Sequence, residues 1–511
     1  MNNNGYFPLN DAEFEDMLQS SLPNTPPEEV VEAVTPWKKA IRRILWGLGL
    51  STLTLNFFGL NHILPTIGIV LSILGVRALR NETKWFKVYY ITTIVRAIHL
   101  LIVLVLGTTV SFRTLIPDTV YIILNLSLTF LNIAFFCAAL FSVEKKSGIN
   151  PRTAPMAALV LWYLGISFLS IINFNGFIVP WVMIIGFICI IVSLNKISKE
   201  IDQVGYNIEN APVKIPDKIL TAILSVTLII GLGCGYAFGG SYPMQWEEKN
   251  QNEHIEVLQI KEHLIVLGFP EKILNDMSAE DILACEGATK IVVYEDKVPF
   301  NDDTRVITVT EQVTPYFSST YDKTIHDVEE MTVTGIGVCL TEESEGDGDW
   351  IIIHHFCWDV NPGFYGTESI QLWPAYQNNS KNRFRYVDEP TGRVLYTKDD
   401  VDYVSDYYSL GSENYTSNTI FWGEQTNRDV FATFSLPDKG ERQRGYVMYP
   451  VADNSDTNTI IDSWFNYTHQ ESLLQYPAIT AKEHRQRGTA NKSFPFRTQQ
   501  RALQIREREL N

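Results

Sequence analysis

The side chains best suited to chemistry lie in one short segment of the C-terminal half. His354, His355, Cys357 and Asp359 supply imidazole, thiol and carboxyl groups close together. Residues 350–358 read as a β-strand, in which successive side chains point to opposite faces. We therefore expect His354 and His355 to face apart, so that they cannot bind one metal ion locally. No metalloprotease, serine-hydrolase or phosphate-binding motif occurs in this half. The sequence thus indicates no catalytic residue, no metal and no cofactor.

Aromatic side chains are the second group of candidate functional residues in the C-terminal half. Trp358, Trp373, Trp422 and Tyr407 are candidates for a surface that stacks on a glycan or a peptide. Aromatic rings also fill the cores of β-sheet domains, and we expect that role for most of the rings in this region. The sequence leaves both interpretations, a ligand-stacking surface and a packed core, open.

The charge distribution narrows the range of partners. Residues 246–480 contain 41 Asp or Glu against 16 Lys or Arg, a balance that repels nucleic acid. The acidic run at residues 342–349 has oxygen ligands for calcium but lacks EF-hand spacing, so a solvated hairpin loop is the better interpretation. Residues 481–511 invert the sign and read as a basic tail that docks on the acidic domain, touches lipid headgroups or meets an anionic wall polymer.

Four polar residues in the hydrophobic half are candidates for function because polar groups inside a bilayer are costly. Arg96 and His99 lie three residues apart and share one helix face, and Asn125 and Asn132 share a face of the next helix. Arg96 is also close enough to a helix end for its side chain to reach the headgroups. The two asparagines suit hydrogen bonding between helices better than a solute path.

The hydrophobic pattern of residues 44–241 predicts a bundle of about seven membrane helices. Residues 44–79 and 154–194 are each long enough for a helical hairpin, and residues 88–110, 119–142 and 219–240 are single spans. Lys and Arg cluster at residues 38–43, 77–87, 145–152 and 196–218, which the positive-inside rule places in the cytoplasm. The acidic tail at residues 1–43 resembles no secretory leader. We therefore predict a plasma-membrane protein, of a bacterial cell envelope, with a cytoplasmic N-terminus and an extracytoplasmic C-terminal domain.

The predicted outer domain has three parts. Residues 242–289 form a helical collar, residues 290–480 a mainly antiparallel β-sandwich or barrel, and residues 481–511 a basic tail with a terminal helix at Ala502, Leu503 and Ile505. The turn residues at 389–392 and 437–440 predict β-hairpins. Cys339 and Cys357 lie on neighbouring strand-like runs, so a disulfide between them is an open alternative.

Three functions are compatible with this organisation. The leading hypothesis is a non-enzymatic protein anchored in the lipid bilayer, whose outer domain binds or senses a cell-wall glycan or peptide. The second is a transporter or channel component in which Arg96 and His99 face a cavity, although no Asp or Glu occurs in the spans. The third is an extracytoplasmic hydrolase that uses His354, His355 and Asp359.

Overall fold

A computed structural model of the protein describes residues 36–53, 58–111, 117–172, 174, 176–204, 211–250, 254–300, 304–314, 317–326, 330–340, 350–373, 384–386, 388–419, 423–453, 460–487 and 492–506. The described residues form two compact units. The first takes its residues from Met1–Leu106 and Arg113–Leu232, and the second from Gly107–Phe112 and Gly233–Asn511.

The first unit is helical throughout its described part. Its elements are α1 (Pro36–Thr52), α2 (Leu60–Leu79), α3 (Lys84–Leu106), α4 (Asp118–Lys146), α5 (Thr153–Ile171), α6 (Ile178–Gln203) and α7 (Asp217–Gly239), whose last turns belong to the second unit. Helices α2 to α7 are long and apolar enough to cross a membrane. Helix α1 has 17 residues, about 25 Å at 1.5 Å per residue, which is less than a hydrocarbon core of about 30 Å. The structure thus gives six membrane-length helices, and the seventh crossing stays a prediction.

Helix α1 begins at residue 36, earlier than the sequence pattern indicated, because its apolar residues recur at helical spacing before residue 44. Trp37, Ile41 and Ile44 are buried in the bundle core, while Lys38 and Arg42 are exposed. This amphipathic pattern explains why α1 fails as a uniformly apolar span.

The α1 and α2 helices pack as a tight antiparallel hairpin because glycines let their backbones meet. A Cβ atom on Gly68 would lie 2.4 Å from Ser51 Oγ and 2.6 Å from the carbonyl oxygen of Gly47. Small residues in such positions are typical of close helix contacts in membranes. The predicted hairpin is present, with its second helix starting at Leu60.

Ion pairs join several helix ends of the first unit. Asp217 at the start of α7 accepts hydrogen bonds from Arg77 at the end of α2 and from Arg43. Lys146 at the end of α4 pairs with Glu82 before α3 at 3.2 Å, and Arg152–Glu200, a pair at 2.9 Å, links the start of α5 to the end of α6. These helix ends therefore meet in pairs.

The second unit contains α8 (Ile255–Val266), α9 (Glu271–Leu274), α10 (Ala279–Leu283) and α11 (Ala481–Gln486). Its strands are β1 (Glu247–Glu248), β2 (Ala288–Pro299), β3 (Thr304–Thr314), β4 (Phe317–His326), β5 (Glu330–Leu340), β6 (Trp350–Trp358), β7 (Glu368–Trp373), β8 (Phe384–Tyr386), β9 (Thr391–Lys398), β10 (Val401–Asp406), β11 (Ser409–Thr419), β12 (Gly423–Phe434), β13 (Glu441–Asp453), β14 (Ile460–Gln470), β15 (Lys492–Ser493) and β16 (Phe496–Arg506).

Two large sheets of these strands pack face to face. One has the order β1-β10-β9-β13-β6-β5-β2, with β8 also on β13, and the other has the order β11-β12-β7-β14-β16-β15. A separate ribbon pairs β3 with β4. The strand pairs among the described residues are antiparallel, which confirms the predicted sheet type.

The core between the two sheets is rich in aromatic and branched side chains. Trp358 and Phe356 of β6 meet Phe465 and Tyr467 of β14 there. The sheets approach closely at Gly337 of β5, where an added Cβ would lie 2.2 Å from the Ile505 side chain of β16. The second unit is therefore a β-sandwich whose final strand is part of the core.

Helices α8 to α10 cover the other face of the eight-stranded sheet. Val257, Leu264 and Ile273 pack on Ile351 and Ile353 of β6 in a second hydrophobic core. This helical layer corresponds to the collar predicted at residues 242–289.

A buried ionic cluster fixes the helical layer to the sheet. Arg444 of β13 donates from Nε to Asp276 Oδ1 at 2.7 Å, and its Nη2 pairs with Asp402 Oδ2 at 2.9 Å. Asp276 lies between α9 and α10, and His355 Nε2 is 3.0 Å from its other oxygen. Arg393 reaches the carbonyl oxygens of Asp276 and Met277. Charges that are buried and paired in this way specify how the two layers dock.

Three expectations for this unit were wrong. Ala502, Leu503 and Ile505 lie in strand β16, not in a terminal helix, and β16 pairs with β14 along its length. Residues 437–440 connect strands of different sheets. Residues 389–392 lead from β8 into the first residues of β9, and both strands pair with β13 and not with each other.

The open disulfide alternative is also excluded. Cys339 is opposite Trp350 and Cys357 is opposite Thr332, so the two cysteines lie at opposite ends of the β5–β6 pair. Each of the six cysteines of the chain is a thiol outside any disulfide.

Candidate functional site

Two tryptophans lie side by side on the outer face of the six-stranded sheet. Trp373 of β7 is the register partner of Trp464 of β14, and their ring centroids are 6.1 Å apart with an interplanar angle of 47°. Trp373 is 39% exposed and Trp464 is half-buried. Ala502 of β16 is exposed opposite Trp464. We call Trp373, Trp464 and Ala502 the tryptophan shelf, which crosses three neighbouring strands of the sheet.

A polar network begins two residues before Trp373 on the same face. Gln371 donates from Nε2 to Asp429 Oδ2 at 2.7 Å and to the Tyr415 hydroxyl at 3.1 Å, and Tyr415 donates to Asp429 at 2.6 Å. The Oε1 atom of Gln371 accepts two hydrogen bonds from Arg485, at 2.9 and 2.8 Å. These contacts join β7, β11 and β12 to helix α11 beside Trp373.

Helix α11 brings Arg485 to this face. Thr480 and Glu483 form a capping box that begins the helix, and Lys482 pairs with Glu413 of β11 at 2.8 Å. Burial lowers the pKa of Arg485. Burial raises the pKa of Asp429, and its bonds to Tyr415 and Gln371 oppose that rise. The basic residues predicted to dock on the acidic domain include these two, Lys482 and Arg485, which do so.

A row of amide side chains continues the polar surface. Gln500 of β16 donates to Asn466 Oδ1 of β14 at 2.7 Å, and Asn466 donates to the carbonyl oxygen of Gln371 at 3.2 Å. On the other side of the shelf, Gln504 donates to Asp462 at 3.0 Å. The two rings are therefore flanked by amide and carboxyl groups that can exchange hydrogen bonds with a hydroxyl-bearing ligand.

The structure places the four predicted aromatic candidates in different surroundings. Trp358 is 1% exposed in the sandwich core, and its Nε1 donates to the Tyr467 hydroxyl at 3.2 Å. Tyr407 is also buried and donates to the carbonyl oxygen of Tyr446 at 3.0 Å. Neither ring can stack on an external ligand, because the core already encloses it. Trp422 lies outside the described residues, and Trp373 is on the surface.

Trp464 was not among the predicted candidates. It alternates along β14 with the buried Phe465 and Ser463, and this period-2 pattern could have placed it on the outer face. The register that puts Trp464 beside Trp373 comes from pairing between distant segments, which the sequence pattern does not specify.

The residues of the hydrolase hypothesis point to three separate surroundings. His354 faces the sandwich core, where Nε2 is 2.7 Å from Ser463 Oγ and burial lowers its pKa to about 3. His355 faces the helical layer and Asp276, which confirms that the two histidines point to opposite faces. Asp359 accepts a hydrogen bond from Thr332 at 3.0 Å. The structure assembles no catalytic group from them.

Metal binding finds no geometric support in the described part of the chain. Within it, no cluster of three or more His, Cys, Asp or Glu side chains is placed to hold a metal ion. The acidic run at residues 342–349, considered for calcium, lies outside the described residues.

The four polar candidates of the membrane helices, Arg96, His99, Asn125 and Asn132, have different surroundings and form no common site. Asn132 is buried and donates to Thr93 and Thr92 of α3 at 3.0 and 3.2 Å, so it joins two helices. Asn125 is exposed on α4, and His99 stacks on the Tyr121 ring at 6.1 Å. Arg96 is half-buried on α3.

A cavity of about 190 Å³ lies between α2, α3 and α7 of the first unit. Its walls are apolar apart from Thr66, Ser225 and Thr227, and neither Arg96 nor His99 lines it. The transporter hypothesis therefore gains no polar solute path from this cavity.

Comparisons with known proteins leave the chain without a family. No known protein family and no curated protein matches the sequence. A solved structure described as "Pore forming protein" is similar over 43% of this chain and 93% of that chain, with 8% sequence identity and a TM-score of 0.18. A likeness at that TM-score supports no inference on fold or function.

Proposed function

We propose that this protein is a multi-pass plasma-membrane protein whose β-sandwich lies outside the cytoplasm and binds a cell-wall glycan, without enzymatic activity. The membrane assignment is supported by the six apolar helices α2 to α7. The binding role is carried by one observation, the tryptophan shelf between two rows of amide and carboxyl groups.

The ion pairs of the first unit support this orientation. The helix ends joined by Arg77–Asp217, Lys146–Glu82 and Arg152–Glu200 belong to the segments richest in Lys and Arg. The positive-inside rule assigns such segments to the cytoplasm. Helix α7 starts in one of them, so a single crossing carries the chain to the opposite side. The α1–α2 hairpin returns to the side where it begins, which keeps residues 1–43 in the cytoplasm.

A glycan fits the shelf better than a peptide for a topological reason. Peptides commonly bind β-domains by adding a strand to an open sheet edge. The two strands that carry the rings, β7 and β14, are internal to the sheet, and their backbone groups pair with neighbouring strands on both sides. Its available interactions are ring faces and side-chain hydrogen bonds, which suit the alternating apolar and hydroxyl faces of sugar rings.

The test is glycan binding by the full-length protein in lipid nanodiscs. Chito-oligosaccharides, soluble peptidoglycan fragments and the corresponding stem peptides are titrated by isothermal calorimetry. We expect the two glycan probes to bind. Trp373→Ala should lower their binding affinity about tenfold, because loss of one stacked ring costs on the order of 1 kcal/mol or more. Trp464→Ala should weaken binding in the same direction.

The matched control is Tyr321→Ala, which removes an aromatic ring of comparable exposure from the separate β3–β4 ribbon. It should leave glycan affinity unchanged. The proposal fails if the glycan probes do not bind, if stem peptides bind in their place, or if both tryptophan variants bind glycan as the wild type does.

A further inference from the structure

The loop between β14 and α11, residues 471–478, exposes apolar side chains. Leu474 is 70% exposed. Phe494, in the turn between β15 and β16, is 76% exposed, and the backbone N–H of Glu471 donates to the carbonyl oxygen of Pro495 at 2.8 Å. The loop and the turn are therefore neighbours, and together they present an apolar surface. We call residues 471–478 with Phe494 the apolar rim.

The apolar rim is tied to the segments that leave the membrane-length helices. The Tyr236 hydroxyl, one turn before the end of α7, donates to the carbonyl oxygen of Gln475. The N–H of Ala478 donates to the carbonyl oxygen of Gly107, the residue after α3, at 2.7 Å. All four residues belong to the second unit. Phe238, two residues after Tyr236, is 87% exposed. The loop thus lies beside the last turn of an apolar helix.

Several backbone groups of the loop have hydrogen-bond partners within the protein. The side chain of Gln470 donates to the carbonyl oxygen of Ser472 at 2.9 Å, and the side chain of Gln475 donates to the carbonyl oxygen of Ile479 at 2.8 Å. The N–H of Gln475 donates to the carbonyl oxygen of Leu473 at 3.1 Å. Irregular backbone at membrane depth requires internal partners of this kind, because hydrocarbon supplies none.

The charge of the loop agrees with its apolar surface. Residues 471–478 contain one ionisable acid, Glu471, and it pairs with Arg497 of β16 at 2.7 Å. Leu474 and Phe494 can therefore enter the acyl region without burying an unpaired charge.

We propose that the apolar rim is seated in the outer leaflet of the bilayer, with Leu474 and Phe494 among the upper acyl chains. The partner is the phospholipid surface itself, and the proposal rests on the membrane assignment made under Proposed function. Insertion of the rim would hold the sandwich at a fixed height above the bilayer and at a fixed tilt, so that the tryptophan shelf keeps a constant orientation toward the cell wall. Aromatic side chains such as Tyr476 are typical of this interfacial zone.

The test measures the depth of single positions in the full-length protein. An environment-sensitive fluorescent amino acid replaces Leu474 in nanodiscs of phosphatidylcholine and phosphatidylglycerol, and quenching by phospholipids brominated near the headgroup is recorded. The same residue replaces Ile230 within α7, which reports the membrane assignment, and Val401 beside the acidic turn Asp399–Asp400, which reports the aqueous domain. All three positions are exposed, so the substitutions disturb little packing.

We expect brominated lipid to quench the probes at 474 and 230 at least twofold and to leave the probe at 401 unchanged. Quenching at 230 with none at 474 overturns the seated rim and leaves the membrane assignment intact. Absence of quenching at 230 overturns the membrane assignment and, with it, the rim. Equal quenching at 474 and 401 also overturns the rim, because the probe would then not distinguish depth along the domain.

Discussion

Replacing Arg444 with methionine should loosen the helical layer from the sandwich. The guanidinium is 2% exposed and is the shared partner of Asp276 and Asp402. Arg444→Met keeps most of the side-chain volume but leaves Asp276, itself 4% exposed, with His355 as its only remaining side-chain partner in the cluster. The perturbation is therefore electrostatic more than steric.

The size of the effect follows from the burial of both partners. Removing one member of a buried ion pair costs roughly 3–5 kcal/mol, because a desolvated charge is left behind. In a unit of this size each kcal/mol shifts the unfolding midpoint by about 2–4 °C. The expected decrease is thus roughly 6–20 °C for the second unit.

The assay is thermal unfolding of the full-length protein in nanodiscs, followed by circular dichroism in the β-sheet region. Lys297→Met is the matched control, because Lys297 is 64% exposed and meets Glu330 and Asp359 at 3.7 and 3.6 Å. An exposed pair of this kind contributes about 0–1 kcal/mol, so the control should shift the midpoint by at most a few degrees.

The reasoning would be refuted by equal shifts in the two variants. That result would mean that the apolar contacts of Val257, Leu264 and Ile273 hold the helical layer without help from the ionic cluster. A large shift in Arg444→Met that a second change, Asp276→Leu, reverses would show that the stranded carboxylate is the cause.

The same cluster predicts a pH dependence. Burial alone would raise the pKa of Asp276, but its bonds to His355 and Arg444 outweigh burial and lower it. The resulting stability is present above the unfolded-state value near 3.9 and is lost as the pH falls through the lower folded-state value. The unfolding midpoint should therefore fall more steeply below about pH 4 in the wild type than in Asp276→Asn, and identical slopes would contradict this; Glu368, whose pKa burial raises, titrates in both proteins. In the first unit, Gly68→Val should separate α1 from α2, because its Cβ meets the backbone of Gly47. Gly49→Val, which meets nothing within 4 Å, should keep the monodisperse size-exclusion peak that Gly68→Val loses, and a normal peak in both would count against the close hairpin.

The sequence predicted the elements whose patterns are local. The run 350–358 matches β6 residue for residue, because its β-branched and aromatic side chains favour an extended chain on both faces. The membrane-length helices are equally local, since continuous apolar composition is sufficient to define them.

The sequence did not predict the elements whose pairing depends on segments far away in the chain. Strand β16 carries arginines on its inward rows, and only the positions of Glu471 and Asp296 show that Arg497 and Arg501 are paired there. Turn residues at 437–440 specify a change of direction but not which sheet the chain enters next. The tryptophan shelf needed both kinds of information, so the sequence indicated Trp373 and missed its neighbour.

The position of β16 has a consequence for how the molecule is made. Leu503 and Ile505 close the gap over Gly335 and Gly337 of β5, a strand synthesised about 170 residues earlier. Until that late segment has emerged, the half-built sandwich leaves β14 with an open edge and its aromatic interior uncovered. Nascent chains are therefore most vulnerable to proteases and chaperone capture in the interval between the synthesis of β14 and that of β16. Cellular yield should depend on the speed of the last step of assembly.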